Sequence, residues 1–589
     1  MADMYLSNQP AGTYGGVVWG TPSDANDGAS SASPKLTADN AFQLYDNSIY
    51  DGGTLFINDG EYTYTASTGR WILNHASSNI QPMTDYGTTV TFSGTNTQAL
   101  RYNFDTEART ATIGKIIIKT SADKTSVIYS SGSSATLGQS NLNCEARIVP
   151  NTDGTANSST RYGIYDASGS GQVNILGGGV SAADGSLVDI SAEAYEYIPY
   201  FQFAGLTYNP AIPAVVNISA WALNIKMLMP SGGGVIDIDS SVAYPTGSSI
   251  NISGVTGTVI AANSASNIVW LMKLENQPDN TVVDGNTVSF SALNNSGAGG
   301  ISLHGKEFDS LNNTISNNDL TLATDSGIGF GILLGAEGTT GQYANTSGDI
   351  TDNTVVFSNT GSGTNAVHGL NHIHASGTRT GNTISGVSIG SLTKASNATS
   401  SGNTISIDPL SGSKVHLYAK GAYAGASFNN ETLVSTSDFS GAYIQALVDD
   451  TTGGADVYSD NTIFSNITIT GDVGVDAKVF SVGWLAGDNS TAIITNVVLP
   501  TDAAILNVYG RESEVTYTTI VDANALSWVT NINQPSGVDP IYTVCSLTVS
   551  NSYQSTQFQA STVCPLGRDW GTKRYTADGV IIPNYIHDD

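Results

Sequence analysis

Five of the seven histidines, His304, His368, His372, His374 and His416, fall between Gly300 and Leu417 of this 589-residue chain. Imidazole exchanges a proton near neutral pH, so the grouping marks a candidate catalytic or binding face. His372 and His374, two apart on a strand, are expected to share a side, where with His368 they could hold a metal ion. The competing expectation is ordinary polar surface, and no metal is assigned. Glu307 and Glu337 each follow a short apolar strand, at Ile301 and Ile332, and Asp309 stands beside the first. If those turns belong to stacked coils, the carboxylates sit about 5 Å apart at one strand spacing and almost 10 Å at two, near the separations of retaining and inverting glycoside hydrolysis. Elimination instead needs a base and a cation to neutralise a uronate. Lys306, Arg379, Lys414 and Lys420 lie near the histidines, with Tyr418 as a candidate proton donor. The favoured chemistry is hydrolysis by Glu307 and Glu337, with Asp309 and His304 alongside. Rings with a polar tip suit sugar faces. Substrate contacts are accordingly expected from His372, His374, Arg379, His416, Tyr418, Lys420, Tyr443 and Trp484, the alternative for the rings being packing under loops. Asp24-Ala25-Asn26-Asp27-Gly28 is similar to a calcium loop in composition, but its glycine falls one position early and no bidentate glutamate follows. No cofactor is expected, with calcium as the alternative.

Such groups need a scaffold, and composition narrows it. Lys and Arg total 21 against 50 Asp and Glu, a net charge of −29, while charged residues are only 12% and hydrophobic ones 40%. The chain can therefore build a long core beneath a mostly uncharged polar surface. An isoelectric point near 4.3 without a basic cluster argues against a nucleic-acid groove. The most apolar stretch, Ala211 to Pro230, is broken by Asn217, Ser219, Asn224 and Lys226, so membrane insertion is not expected. The opening residues show neither a basic n-region nor an apolar h-region, and export is expected by another route, such as cell lysis. Cys144, Cys545 and Cys564 lack CxxC spacing; Cys545 and Cys564 could pair, the alternative being that each is a small buried residue.

Repetition is the strongest signal. Asn-Thr-Val/Ile recurs at Asn280, Asn286, Asn313, Asn353, Asn382, Asn403 and Asn461, with a variant at Asn430-Glu431-Thr432-Leu433. From Asn286 onward, with the variant at Asn430 included, the irregular intervals lie within roughly 20 to 50 residues and mark one supersecondary unit with variable loops. Between these sites lie short apolar runs, many bounded by glycine, such as Gly300 to Gly305 and Gly331 to Gly335. Period-two alternation dominates, and a helical stripe is nearly absent. Parallel strands cannot be joined by tight hairpins, and hairpin signals are few. The expected fold is all-β, a parallel β-helix in which Val288, Ile315, Val355, Ile384, Ile405 and Ile463 point inward. The recurring asparagines are expected to take the left-handed turn conformation and to bond to one another between coils. Asn251-Ile252-Ser253 belongs to the same polar wall.

The opening reads as loop, short helix with Ala41, Phe42, Leu44 and Tyr45 on one side, glycine turn, then the strand Gly53-Thr54-Leu55-Phe56-Ile57-Asn58-Asp59-Gly60-Glu61-Tyr62. This resembles the N-terminal cap and first rung of the pectate-lyase-like right-handed parallel β-helix superfamily, which includes phage tailspikes and polysaccharide-degrading enzymes. The likeness in kind spans roughly 12–499. It implies a cap over 1–65, a solenoid body over 66–500 and, over 501–589, last rungs with a small C-terminal β region for capping or oligomerisation. It further implies a virion tail spike, homotrimeric, extracellular, attached through a small surface or a tail adaptor protein, that recognises and depolymerises host cell-surface polysaccharide. The superfamily's sharper motifs are missing: neither Trp-Ile-Asp-His nor Gly-His-Gly nor Arg-Ile-Lys occurs. A bacterial polysaccharide lyase or hydrolase outside any virion, and a spike without an active site, therefore remain alternatives.

Overall fold

The computed structural model describes residues 2–498 except 47, 66–70, 74, 94–97, 104–108, 121–125, 132–139, 151–161, 167–170, 191–200, 206–212, 230–232, 241–242, 263–267, 294–296, 325–327, 336–343, 360–366, 408–413, 450–456, 473–476, 483–489 and 491. Beyond 498 it describes only short strands at Asn507–Gly510, Val515–Tyr517, Ile520–Val521, Cys545–Ser546, Arg574–Tyr575 and Ile581–Ile582. Most of 501–589, expected to cap or oligomerise, and Cys564, the expected partner of Cys545, thus lie outside the described residues. The chain divides into two compact units, residues 1–298 with 307–310, and residues 299–306 with 311–589. Each is a right-handed parallel β-helix, the hand that parallel crossovers take.

In the first unit, three strand faces repeat coil after coil. On one of them Leu55, Ile80, Ile113, Cys144, Ile175, Ile218, Ile252 and Val283 follow one another in parallel register. All are buried. Cys144 fills an aliphatic site in this file, and burial pushes its thiol up to about 12, so it acts as a small apolar side chain. One residue earlier on each strand the side chains face out, and there the amides of Asn174, Asn217 and Asn251 donate to the Oδ1 of Asn143, Asn174 and Asn217 at 2.8, 2.7 and 3.0 Å. The polar wall expected around Asn251 is this ladder.

The helix Ala38–Tyr45 starts at Thr37, whose hydroxyl accepts from Asn40 N. Its buried residues, Ala38, Ala41, Phe42 and Tyr45, have helical spacing, and Phe42 stacks on Trp71 at 3.8 Å between centroids. Leu44, expected on that side, is exposed. The edge of the first coil is covered further by Met4–Leu6, which pairs in parallel with Leu55–Ile57. Asp24 and Asp27 accept hydrogen bonds from Thr37, Ala29 and Ser33, so their carboxylates organise the loop before the helix.

In the second unit the interior files run Leu320, Val355, Ile384, Ile405 and Leu433 on one face and Ile332, Leu370, Ser391, Leu417 and Ile444 on another. Val288 of the first unit and Ile315, Val355, Ile384 and Ile405 of the second are buried as expected, whereas Ile463 is 38% exposed. It stacks on Ser427, so its triplet lies on a different strand face from Asn403-Thr404-Ile405. The asparagine ladder of this unit comprises Asn318, Asn353, Asn382 and Asn403. The amides of the first three each donate to the next Oδ1 at 2.8 or 2.9 Å, and their backbone N–H groups to the same oxygen at 2.9 or 3.0 Å. Of the triplet asparagines, Asn280 and Asn461 are left-handed as expected, but the four ladder residues are not. Positive φ belongs to the residue before each: Asn317, Asp352, Gly381 and Gly402, and likewise Asn430 before Glu431.

Candidate functional site

In the first unit the strands Gly234–Ser240 and Ile268–Glu275 lie side by side with Asp239 opposite Glu275, so the turns that follow them stack. Tyr244-Pro245-Thr246-Gly247 turns after the first, and Asn276-Gln277-Pro278-Asp279-Asn280 after the second. Glu307, Phe308 and Asp309 join them, and together the three segments line a cleft of about 650 Å³. Asn276 is the joint. Held at φ 53 and buried, it donates to Ser240 O at 2.8 Å and accepts from Glu307 N at 2.7 Å. Thr281 Oγ1 closes the second turn by donating to Pro278 O at 2.8 Å. Asp279, Glu307 and Asp309 are exposed at the rim, while Gln277 is buried in the wall. Two carboxylates from one turn and one from its neighbour thus meet amides, prolines and an aromatic ring, a lining that can exchange protons with a ligand and bond to its hydroxyls.

Of the expected catalytic residues, Glu307 and Asp309 share this cleft. Glu337 lies outside the described residues, as does Trp484 among the expected sugar contacts. His304 is buried, in the second unit.

Four of the expected sugar contacts are interior residues of the second unit, where an outside glycan does not reach: His372, Arg379, His416 and Tyr443 are each 0% exposed. Alternation explains this. Leu334, His372, Thr393 and Ala419 form an inward file, and Arg379 follows Ile350 in another. His372 Nε2 pairs with Gly348 O at 3.2 Å, and burial followed by the Arg379 charge pushes the imidazole down to about 3. His416 Nε2 pairs with Val434 O at 3.0 Å with its ring against Phe439 and Tyr443, and burial takes it down to about 4. The guanidinium of Arg379 lies 5.3 Å from the centre of the Phe428 ring and donates to Leu392 O and Thr393 Oγ1. Glu431 ends the asparagine ladder. Its Oε2 accepts from Asn403 N at 2.8 Å and its Oε1 from Asn403 Nδ2 at 3.1 Å. Burial raises this carboxyl to about 7, against the lowering pull of its Ser400 and Asn403 hydrogen bonds and of Arg379.

The histidine trio separates as well. His372 points inward, the strand stops at Ile373, and His374 turns away at φ 51, half-buried. His368 stacks on Phe330. Among the described residues no three His, Cys, Asp or Glu side chains are placed to hold a metal. Tyr418 and Lys420 do face outward, half-buried, and Lys420 Nζ lies 3.2 Å from Asp449 Oδ1.

The sequence reading missed Tyr244, Asn276, Gln277 and Asp279. Pro245 and Pro278, in equivalent turns of neighbouring coils, were the available signal. No family model matches the chain, and no curated protein matches it.

Proposed function

We propose that this chain is a glycan-recognising spike of a phage tail, and that its cleft hydrolyses host cell-surface polysaccharide with Glu307 and Asp309 as the working carboxylates. The observation that carries the reading is the cleft itself: stacked turns place Asp279, Glu307 and Asp309 beside Tyr244, Asn276 and Gln277 around a volume of about 650 Å³. Glycoside hydrolysis requires one carboxyl to protonate the leaving oxygen and a second to act as nucleophile or base. The backbone of Glu307 is held by the buried Asn276, so that carboxyl is carried on a fixed turn. A homotrimer attached through a tail adaptor belongs to the same proposal and rests on the superfamily resemblance alone.

The test is incubation with capsular and lipopolysaccharide preparations, measuring new reducing ends and, separately, the ultraviolet absorbance of unsaturated uronates. Reducing ends without that absorbance are expected. Glu307→Gln and Asp309→Asn are each expected to lower the rate by about 10²-fold or more. Both side chains are exposed, so thermal stability should shift by no more than about 0.5 kcal/mol. Full activity in both variants, or none in the parent on any glycan, would remove the proposal.

A further inference from the structure

A second face of the first unit presents cations, in a chain whose net charge is −29. The strands Ile117–Thr120, Arg147–Val149 and Gly179–Val180 lie on successive coils, with Arg147 paired to Ile117 on one side and to Gly179 on the other. Ile118 and Ile148 are buried, so by alternation Lys119 and Arg147 share the outward face, where Lys119 is exposed. One coil spacing and two residues of strand separate them, about 8 Å between Cα atoms. The guanidinium of Arg147 lies 4.7 Å from the centre of the Tyr86 ring. Tyr86 holds it from a conformation that bulky side chains seldom adopt, φ 59. Its N–H donates to Lys115 O at 2.7 Å and its hydroxyl to Glu145 O at 3.1 Å, so the residue is tied across three successive coils.

Asp85, the residue before Tyr86, is engaged by Lys115 at 2.7 Å. Glu145 stands two residues before Arg147, yet among the described residues no carboxylate is bonded to Arg147 or to Lys119. The coil beyond Arg147 turns through Gly177, Gly178 and Gly179. It offers no side chain at Gly179, and an added Cβ on Gly177 would meet nothing within 4 Å. The guanidinium is therefore fixed in orientation by a ring and has open space on its far side. We infer that Tyr86, Arg147 and Lys119 form a binding site for an acidic glycan. The planar guanidinium takes a sugar carboxylate through two parallel hydrogen bonds, and Lys119 meets the next acidic group along the glycan. None of these residues lines the cleft at Glu307, and the inference stands whether or not that cleft is hydrolytic.

Binding of the full chain is measured by calorimetry at low salt against an oligogalacturonate, a sulfated oligosaccharide and a neutral xylo-oligosaccharide of equal length, and against sodium phosphate alone. The oligogalacturonate is expected to bind tightest, about tenfold or more above the neutral oligomer, with the difference shrinking as sodium chloride is raised. Arg147→Gln is expected to weaken it by about tenfold or more, Arg147→Lys and Lys119→Gln by less, and Glu307→Gln not at all. A melting temperature close to the parent's is the check that each variant folds. The inference fails if the oligogalacturonate binds no tighter than the neutral oligomer or than phosphate, or if Arg147→Gln binds it as the parent does. Tighter binding of the sulfated oligomer overturns the assignment to a carboxylate. Loss of binding in Glu307→Gln, with Arg147→Gln unaffected, puts the acidic glycan in the cleft, which sinks the inference and leaves the reading of the cleft standing.

Discussion

At the scale of single residues, the second unit carries an unusual set of titratable groups in its interior. His372 and His416 are held neutral by burial, down to about 3 and about 4, while Glu431 is raised to about 7. The signs oppose one another. For the histidines the unfolded chain takes up protons first, so their contribution is complete above about pH 6.5 and is lost as pH falls toward 4. For Glu431 the folded chain holds the proton more tightly, so its contribution is complete below about 4.5 and is lost as pH rises through 7. Between about pH 4.5 and 6.5 two histidines outweigh one glutamate. Stability of this unit should therefore fall on acidification, by roughly 1.4 kcal/mol per pH unit for each net proton. Glu431→Gln removes the opposing group and is expected to steepen that slope toward twice its parent value. Denaturant unfolding at half-unit pH steps reads it directly, and parallel slopes in parent and variant would refute the assignment. Little of this was visible beforehand. The sequence marks Glu431 as a break in the asparagine pattern, and marks the histidines as clustered. Burial, which converts both from surface chemistry to interior electrostatics, depends on which side of the strand each falls.

At the scale of the element, three glycines inside the apolar strands Gly329–Gly335, Val367–Ile373 and Ile389–Lys394 have a packing reason. Gly331, Gly369 and Gly390 follow one another in a file that faces the branched side chains of Val355, Ile384 and Ile405. A Cβ on Gly331 would meet Val355 Cγ1 at 2.8 Å, and one on Gly369 would meet Ile384 Cγ2 at 2.6 Å. On Gly390 it would run into Ile405 Cγ2. The interior is pinched at this level, and only glycine lets the two faces close. Gly402 is different. Its φ is +69 and nothing lies within 4 Å of an added Cβ. Equivalent positions on other coils hold Asn317, Asp352 and Asn430, also at positive φ. Gly390→Ala should therefore cost about 1–3 kcal/mol or more through overpacking, whereas Gly402→Asn should stay within about 0.5 kcal/mol of the parent. Thermal unfolding of the two variants side by side checks this, and comparable losses would show that backbone conformation, not space, sets the requirement. Period-two alternation made the strands legible, as did the glycine boundaries. What a glycine faces was not legible, because it is set by a strand elsewhere in the coil. The triplet at Asn461 shows the same limit: a local motif carries no register, and Ile463 lands outside. At the cleft, Glu307 and Asp309 were recognisable as exposed turn acids. The sequence reading matched Glu307 with a turn that follows it, whereas the lining comes from turns that precede it.

At the scale of the molecule, the coils behave as repeats whose lengths differ only in their loops, so stability should be close to a sum over coils and their contacts. The ladder offers a direct test, because Asn382 and Asn403 occupy equivalent places and are preceded by Gly381 and Gly402 at φ +70 and +69. Deleting 382–402 joins Gly381 to Asn403 and removes one whole coil, with its strands Thr383–Val387, Ile389–Lys394 and Thr399–Ser401. The new junction has the φ the turn needs, Asn353 gains Asn403 as its ladder partner, and Val355 meets Ile405, another branched aliphatic, in the interior file. The deletion costs the Arg379 hydrogen bonds to Leu392 and Thr393 and the burial contributed by one coil. The shortened chain is expected to fold with native-like strand content by circular dichroism and a single lowered melting transition for the second unit. Any activity of the cleft at Glu307 should survive, since none of its lining residues is removed. Deleting 382–396 instead shifts the register by a partial coil and sends interior side chains outward, so that variant should not fold. If both deletions behave alike, the coil is not the unit of stability, and the stacked turns that form the cleft lose their structural rationale.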